Sequence, residues 1–390
     1  MQSFTSTSRI IVTCSNRLSV YLQQEIIDLN FKPVRIFKTG VELNGSLLDC
    51  LKLNLNLRCA SQVLFSLKEF KAQHATDVYN NLLDYEWENL IPAEGYFSIS
   101  SNVSNETITN NLFANVKVKD AIADRFRNKT GSRPNSGSEL NGVVIHLYWK
   151  ENIAEIFLDT SGETLSKHGY RKIPGKAPML ESLAAATILA GKWDRQSPFI
   201  NPMCGSGTLA IEATMIATNR RPGLYRNNYS FMHVQGYQEK FYTDEFLKLE
   251  KQVLDIKGLQ VIATDISEDA INISKINAGM AGVEELIDFA IVDFEETTII
   301  ENRSGVVYLN PEYGDRLGVE EELEKTYKRM GDFFKQKCKG YTGYIFTGNL
   351  ELAKKIGLKP KRRIEFYTSK IDCRLFEYEL YAGTRELSKA

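Results

Sequence analysis

The sequence of 390 residues predicts an α/β protein, and three observations carry that expectation. Residues 199–213, FINPMCGSGTLAIEA, read as an apolar strand, a tight turn and a helix. Gly205 and Gly207, with Ala210 three positions on, allow the sharp turn and leave the backbone open to a ligand at the positive end of the helix. Further along, apolar runs end in side-chain acceptors: LQVIATD at Asp265, LIDFAIVD at Asp293 and GVVYLN at Asn310. The chain then closes on two alternating runs, KRRIEFYTS and CRLFEYELYAG, which read as an antiparallel hairpin turning around residues 370–372.

Composition sets the outer limits. With 43% hydrophobic and 25% charged residues the chain belongs with folded globular proteins, and its length suits two or three domains. No apolar run reaches bilayer length and the start, MQSFTSTSRIIVTCSN, lacks a secretory layout, so the expected compartment is the cytoplasm. Six cysteines and four histidines (His74, His146, His168, His233) show no ligand spacing, which argues against a metal site. The formal net charge of -1 means that any nucleic-acid contact must come from local clustering.

Taken in order, residues 9–56 alternate strand and helix: RIIVTC, an amphipathic helix from Leu18 to Leu29, a strand pair PVRIFKTGVELNG and the helix SLLDCLKLNLNL. SQVLFSLKEF, a helix over residues 74–83 and the strand YFSISS follow. Residues 117–133 then gather Lys117, Lys119, Arg125, Arg127, Lys129 and Arg133 against two acids. This is the pattern of a phosphate-facing helix, and equally of a solvated one. GVVIHLYWK and IAEIFLDTS are strands whose alternation buries Val143, Ile145, Ile156 and Phe157. A Gly/Lys/Pro-bearing link, KHGYRKIPGKAP, leads to a helix from about Leu180. After the glycine turn an insert over residues 219–258 mixes Arg220, Arg221 and Arg226 with Tyr225, Tyr229, Phe231 and Tyr237. Such a mixture serves base stacking or a small aromatic core. The glycine turn itself is that of any nucleotide-binding loop or of a plain strand–helix junction. A dinucleotide site wants an acidic strand end about 20 residues later; here it comes much later, at Asp265.

Residues 201–213, the preceding LSKHGYRKIPGKAPMLESLAAA, the insert's RPGLYR and the segment Asn-Pro-x-Tyr-Gly-x-Arg-Leu from Asn310 resemble, in this order, one family. It is the THUMP-domain RNA guanine-N2 methyltransferases of the class I S-adenosylmethionine-dependent type. Nearest among them is the large-subunit (23S) rRNA group, and the resemblance covers nearly the whole chain. It implies a ferredoxin-like module over residues 1–56, a THUMP domain over 57–165, and a Rossmann-like methyltransferase domain over 166–390 with a mostly parallel seven-stranded sheet. S-adenosylmethionine is the implied cofactor, held by Asn201, Pro202, Cys204, Gly205, Ser206 and Gly207 around its methionine part. Asp265 with Ile266 would take the ribose, Asp293 with Phe294 the adenine, and Asn310 is a further implied cofactor contact. Asn310 and the Pro311 carbonyl would accept from the target amine, which Tyr313 would stack against. RNA is the implied partner, met by the six basic residues above and Arg226. Two alternatives stay open: a tRNA guanine-N2 enzyme of the same type, and an RNA-binding factor without activity. The sequence departs from the family's Asn-Pro-Pro-Tyr at Glu312, which keeps both acceptors and loosens the loop.

Overall fold

The structure is a computed structural model that describes residues 4–108, 110–175, 178–312, 320–368 and 371–381. Two compact units emerge: Met1–Ser15, Leu22–Ser166 and Pro222–Lys251 form the first, and Asn16–Tyr21, Lys167–Arg221 and Gln252–Ala390 the second.

The first part of the chain runs β1 (Ser8–Thr13), α1 (Ser19–Asp28), β2 (Pro33–Phe37), β3 (Gly40–Gly45), α2 (Leu47–Asn56), β4 (Gln62–Lys71), α3 (Ala75–Leu83) and β5 (Tyr96–Ser104). It continues with α4 (Asn111–Thr130), β6 (Asn135–Gly137), β7 (Val143–Lys150) and β8 (Ile153–Asp159). Local chemistry explains the boundaries. Ser46 and Asp49 make a reciprocal capping box that starts α2, and Leu47, Leu51 and Leu55 put its apolar stripe inside. Gly131 ends α4 in the left-handed conformation that a residue with Cβ disfavours. The eight strands form one sheet in the order β2-β3-β1-β4-β8-β7-β5-β6. Because β4 pairs antiparallel with β1 on one side and β8 on the other, the sheet is continuous across residues 8–159. Val143, Ile145, Ile156 and Phe157 are buried as the alternation requires.

The second unit holds α5 (Glu181–Gly191), β9 (Phe199–Pro202) and α6 (Thr208–Ala217). The next helix, α7 (Glu239–Lys251), lies on the segment that belongs to the first unit. The second unit then resumes with β10 (Val261–Asp265), α8 (Glu268–Met280), β11 (Ile287–Ile291), β12 (Val306–Leu309), α9 (Glu320–Gln336), β13 (Thr342–Thr347), α10 (Leu350–Lys355), β14 (Arg362–Thr368) and β15 (Ile371–Glu379). Its seven strands are ordered β11-β10-β9-β12-β13-β15-β14. All run parallel except β15, which is antiparallel to β13 and β14. This is the mostly parallel sheet with a terminal hairpin that the sequence predicts. Every residue of α6 is buried, which accounts for its lack of a polar face.

Strand order reverses between β9 and β12, and in open α/β sheets ligands bind beyond the carboxyl ends of the strands at such a point. The crevice has a visible cause. The β9–β12 ladder stops at Ile200 and Val307, and beyond it the Asn201 amide bridges to the Tyr308 carbonyl at 2.8 Å.

Candidate active site

Three strand ends meet at this crevice. From β9 the chain turns through Met203, Gly205 and Gly207, all with positive φ, and Gly207 caps α6. A Cβ on Gly205 would meet nothing within 4 Å, so the loop faces open space there. One on Gly207 would come within 3.0 Å of Ser274 Cβ, because α8 packs directly behind. The Asp265 carboxylate at the end of β10 holds this loop. Its Oδ2 accepts from Gly205 N at 2.9 Å and its Oδ1 from Ser267 N at 3.0 Å. Each oxygen keeps a further lone pair, and the neighbouring Ile266 side chain is 71% exposed. An acidic acceptor beside a bare apolar shelf suits a ribose and the ring attached to it. The residues therefore fit the expected cofactor.

Other expected residues act through the scaffold. Asn201 is fully buried and spans β9 and β12, and Pro202 is buried in the strand. Cys204 is buried too, its thiol pushed up to about 12 by burial, so it is inert at neutral pH. The Phe294 ring is buried in the core, edge-on to Phe333 at 5.9 Å, so only its backbone is placed to meet a ligand. Asp293 lies two residues beyond β11, and its Oδ1 accepts from Glu295 N at 3.0 Å and from Arg329 at 2.8 Å. Both bonds fall on one oxygen, leaving Oδ2 for another donor. Arg329 also lies over the Phe294 ring at 4.8 Å.

Beyond β12 stands Asn310, whose Oδ1 is shielded from solvent and finds no hydrogen-bond donor among the described residues. A buried acceptor left unpaired costs free energy, and a ligand's N–H would relieve that cost. Pro311 is buried and the Glu312 side chain exposed. Tyr313 lies outside the described residues.

Sequence reading marked the link ahead of α5 but not the side chains that tie it down. Arg171 donates to Thr208 Oγ1 at 2.8 Å and to the Met179 carbonyl at 2.5 Å. Asn277, fully buried on α8, accepts from Lys172 N and Ile173 N and donates to the carbonyls of Ile173 and Ser206. One amide thus ties strap, glycine loop and α8 together. The available signal was two polar residues, Ser274 and Asn277, on the buried face of a helix.

In the first unit the basic candidates divide. Arg125 makes two hydrogen bonds to Glu88, at 3.1 and 2.6 Å, and its side chain is only 14% exposed. Arg226 donates to the carbonyls of Thr164 (2.7 Å) and Glu163 (2.9 Å) and lies over Tyr229 at 5.0 Å. Each of these two side chains is thus tied to a partner within the first unit. Lys117 and Lys119 are half-buried, Lys117 near the Phe113 ring. Arg127, paired with Asp124, and Lys129 and Arg133 are exposed. The insert's Tyr229 and Phe231 are fully buried and stacked at 5.1 Å, so they build a core. Among the described residues no helix is long and apolar enough to cross a membrane, and no cluster of metal-ligating side chains occurs.

Comparison with known proteins divides the chain along its sequence. Residues 9–64 match the RlmL ferredoxin-like domain, 72–159 the THUMP domain, and 168–377 the RMKL-like methyltransferase domain. The ribosomal RNA large subunit methyltransferase K/L of Psychromonas ingrahamii is 33% identical over 374 residues, covering 93% of this chain and 49% of that protein. The chain thus spans about half the length of the curated relatives it matches. SMU.472, solved in complex with SAH, superimposes with a TM-score of 0.87 at 24% identity, over 97% of this chain and 99% of that one. A Listeria monocytogenes protein, named a predicted N6-adenine-specific DNA methylase, gives 0.86 at 27% identity, over 96% and 97%. Strand order, glycine loop and domain matches lead to one conclusion: the chain belongs to the RMKL-like methyltransferase family.

Proposed function

We propose that this chain transfers a methyl group from S-adenosylmethionine to the exocyclic N2 amine of a guanosine in large-subunit (23S) rRNA, in the cytoplasm. The observation that carries the reading is the unpaired, buried Oδ1 of Asn310 at the end of β12, across the switch point from the glycine loop. The amine of guanine is a weak nucleophile because its lone pair is drawn into the ring. Asn310 Oδ1 and the Pro311 carbonyl accept its N–H groups and hold the remaining lone-pair direction toward the donor methyl. When bound, the cofactor supplies an electrophilic methyl on a sulfonium. The chain's own residues contribute alignment and exclusion of water, which account for much of such catalysis. The target base leaves its stack to reach the crevice. The kinship with the Psychromonas rRNA enzyme and the THUMP match support RNA as substrate.

The test is incubation of the purified chain with labelled S-adenosylmethionine and separately with 23S rRNA, tRNA and DNA, followed by nucleoside mass spectrometry. N2-methylguanosine in 23S rRNA is the expected product. The same product in tRNA alone moves the enzyme to the tRNA group, and N6-methyladenine in DNA assigns it the activity named for the Listeria protein. No product with any of them leaves an RNA-binding factor.

A further inference from the structure

Glu312, the residue that departs from the family pattern, has its backbone held from behind. Tyr327 on α9 is fully buried, its hydroxyl donating to the Glu312 carbonyl at 3.3 Å and lying 2.8 Å from Thr347 Oγ1 at the end of β13. The directions of these bonds are set. A carbonyl only accepts, so the phenol must donate to Glu312 and the Thr347 hydroxyl must donate to the phenol oxygen. Thr347 Oγ1 in turn accepts from Asn349 N at 3.0 Å, a backbone group fixed where α10 begins. Burial raises the Tyr327 phenol well above its ordinary value, so it remains a donor at any working pH.

We propose that Tyr327 is the positioning residue of the transfer loop, its clamp on the Glu312 carbonyl supplying the rigidity that a second proline would otherwise give. The inference rests on the reading of Asn310 and Pro311 as amine acceptors. It follows from their place in the chain: both sit immediately before the clamped carbonyl and after the fixed end of β12, so these two residues are held on both sides. A proline at 312 would restrict φ at the same point, and Glu312 is not among the residues with positive φ, so the ring's requirement is not excluded. The two devices are also of comparable strength: one net hydrogen bond and one proline restriction each shift a loop population by a few-fold. Either can therefore stand in for the other.

The experiment uses the full chain in four forms: parent, Tyr327→Phe, Glu312→Pro and the double variant. Cofactor affinity, single-turnover methyl transfer and hydrogen exchange at the Asn310 amide are measured for each, with the Glu312 amide added in the two forms that keep it. Tyr327→Phe keeps the ring and its packing, so we expect cofactor Kd within about twofold, a transfer rate lower by about threefold to fivefold, and faster exchange in the loop. In the double variant the proline should return both rate and exchange to within about twofold of the Glu312→Pro chain. Unchanged rate and exchange in Tyr327→Phe overturn the proposal, as does a loss that the proline does not rescue, which would mark Tyr327 as a packing residue only. A parent that methylates no RNA overturns the acceptor reading on which the proposal rests, and loop exchange then decides the clamp by itself.

Discussion

Asn310→Ala should raise thermal stability while removing activity, because the same atom is a defect in the free protein and an acceptor in the complex. Its Oδ1 is buried with no donor among the described residues, a state that costs about 1–3 kcal/mol. Truncation removes that cost. The side chain is only half-buried, so the cavity left behind is small and cancels only part of the gain. A net stabilisation of about 1 kcal/mol corresponds to a Tm increase of about 2–4 °C for a unit of this size. Transfer moves the other way. Deleting one preorganised hydrogen-bonding group in a water-excluded site costs about 100- to 1000-fold in rate. The assay pairs calorimetric unfolding without cofactor with single-turnover methylation of 23S rRNA at saturating S-adenosylmethionine. A Tm that falls by 2 °C or more, on the scale set by a change of about 1 kcal/mol, together with activity within tenfold of the parent, would refute the reasoning. It would mean that Oδ1 is paired in solution and that Asn310 supports the fold rather than the reaction.

Asp265→Asn places an amide where Gly205 N–H or Ser267 N–H needs an acceptor and removes the charge that both meet, so the S-adenosylmethionine Kd should rise by about 10- to 100-fold. Calorimetric titration reads this, and an unchanged Kd counts against it. Replacing Arg127, Lys129 and Arg133 together by alanine should reduce the slope of log affinity for RNA against log salt by about 2 to 3. Arg125→Ala should lower Tm and leave that slope alone, because Arg125 is engaged with Glu88. An equal loss of slope in both would return Arg125 to the RNA face. Burial lowers His146 to about 4, so below its ordinary value of 6.5 the unfolded chain binds a proton that the folded chain refuses. Its stabilising contribution is complete above pH 6.5 and drains away as pH falls toward 4; His146→Gln should unfold with a correspondingly flatter acid limb in urea titrations, and identical limbs would dismiss the effect.

Features set by neighbouring residues were legible in the sequence. The glycine turn, the acidic end of β10 and the terminal hairpin each depend on a few consecutive positions, and the structure places them as expected. Asn310 was singled out by its order after those strands and by the family resemblance, and the structure places it just beyond β12. Partners distant in sequence were not legible. Arg125 and Glu88 are 37 residues apart, and Arg226 and the Thr164 carbonyl 62 apart. A basic run counts charges without showing which are already engaged, and in this one Arg125 is paired with Glu88. Phe294 stands beside an acidic loop residue, and only the packing of α9 shows that its ring turns inward. Arg329 and Tyr327 carry no motif, because their roles come from where α9 lies beside two loops.

The segment Pro222–Lys251 leaves the second unit after α6 and rejoins it before β10. Its exit and return are tied together: Leu254 N donates to the Thr218 carbonyl at 2.8 Å, and Asn219 Nδ2 to the Gln252 carbonyl at 3.1 Å. A shorter excursion, Asn16–Tyr21, goes the opposite way, so the backbone passes between the units five times, at 15/16, 21/22, 166/167, 221/222 and 251/252. A single scission near residue 166 therefore does not yield two self-sufficient pieces. A fragment of residues 167–390 would carry Tyr229 and Phe231 away from β7, where Ser230 Oγ accepts from Val144 N at 2.8 Å, and would expose both rings. Anyone grafting this catalytic sheet onto another RNA-recognition module would instead join residues 219 and 252 by a short turn, using the existing closure as the splice.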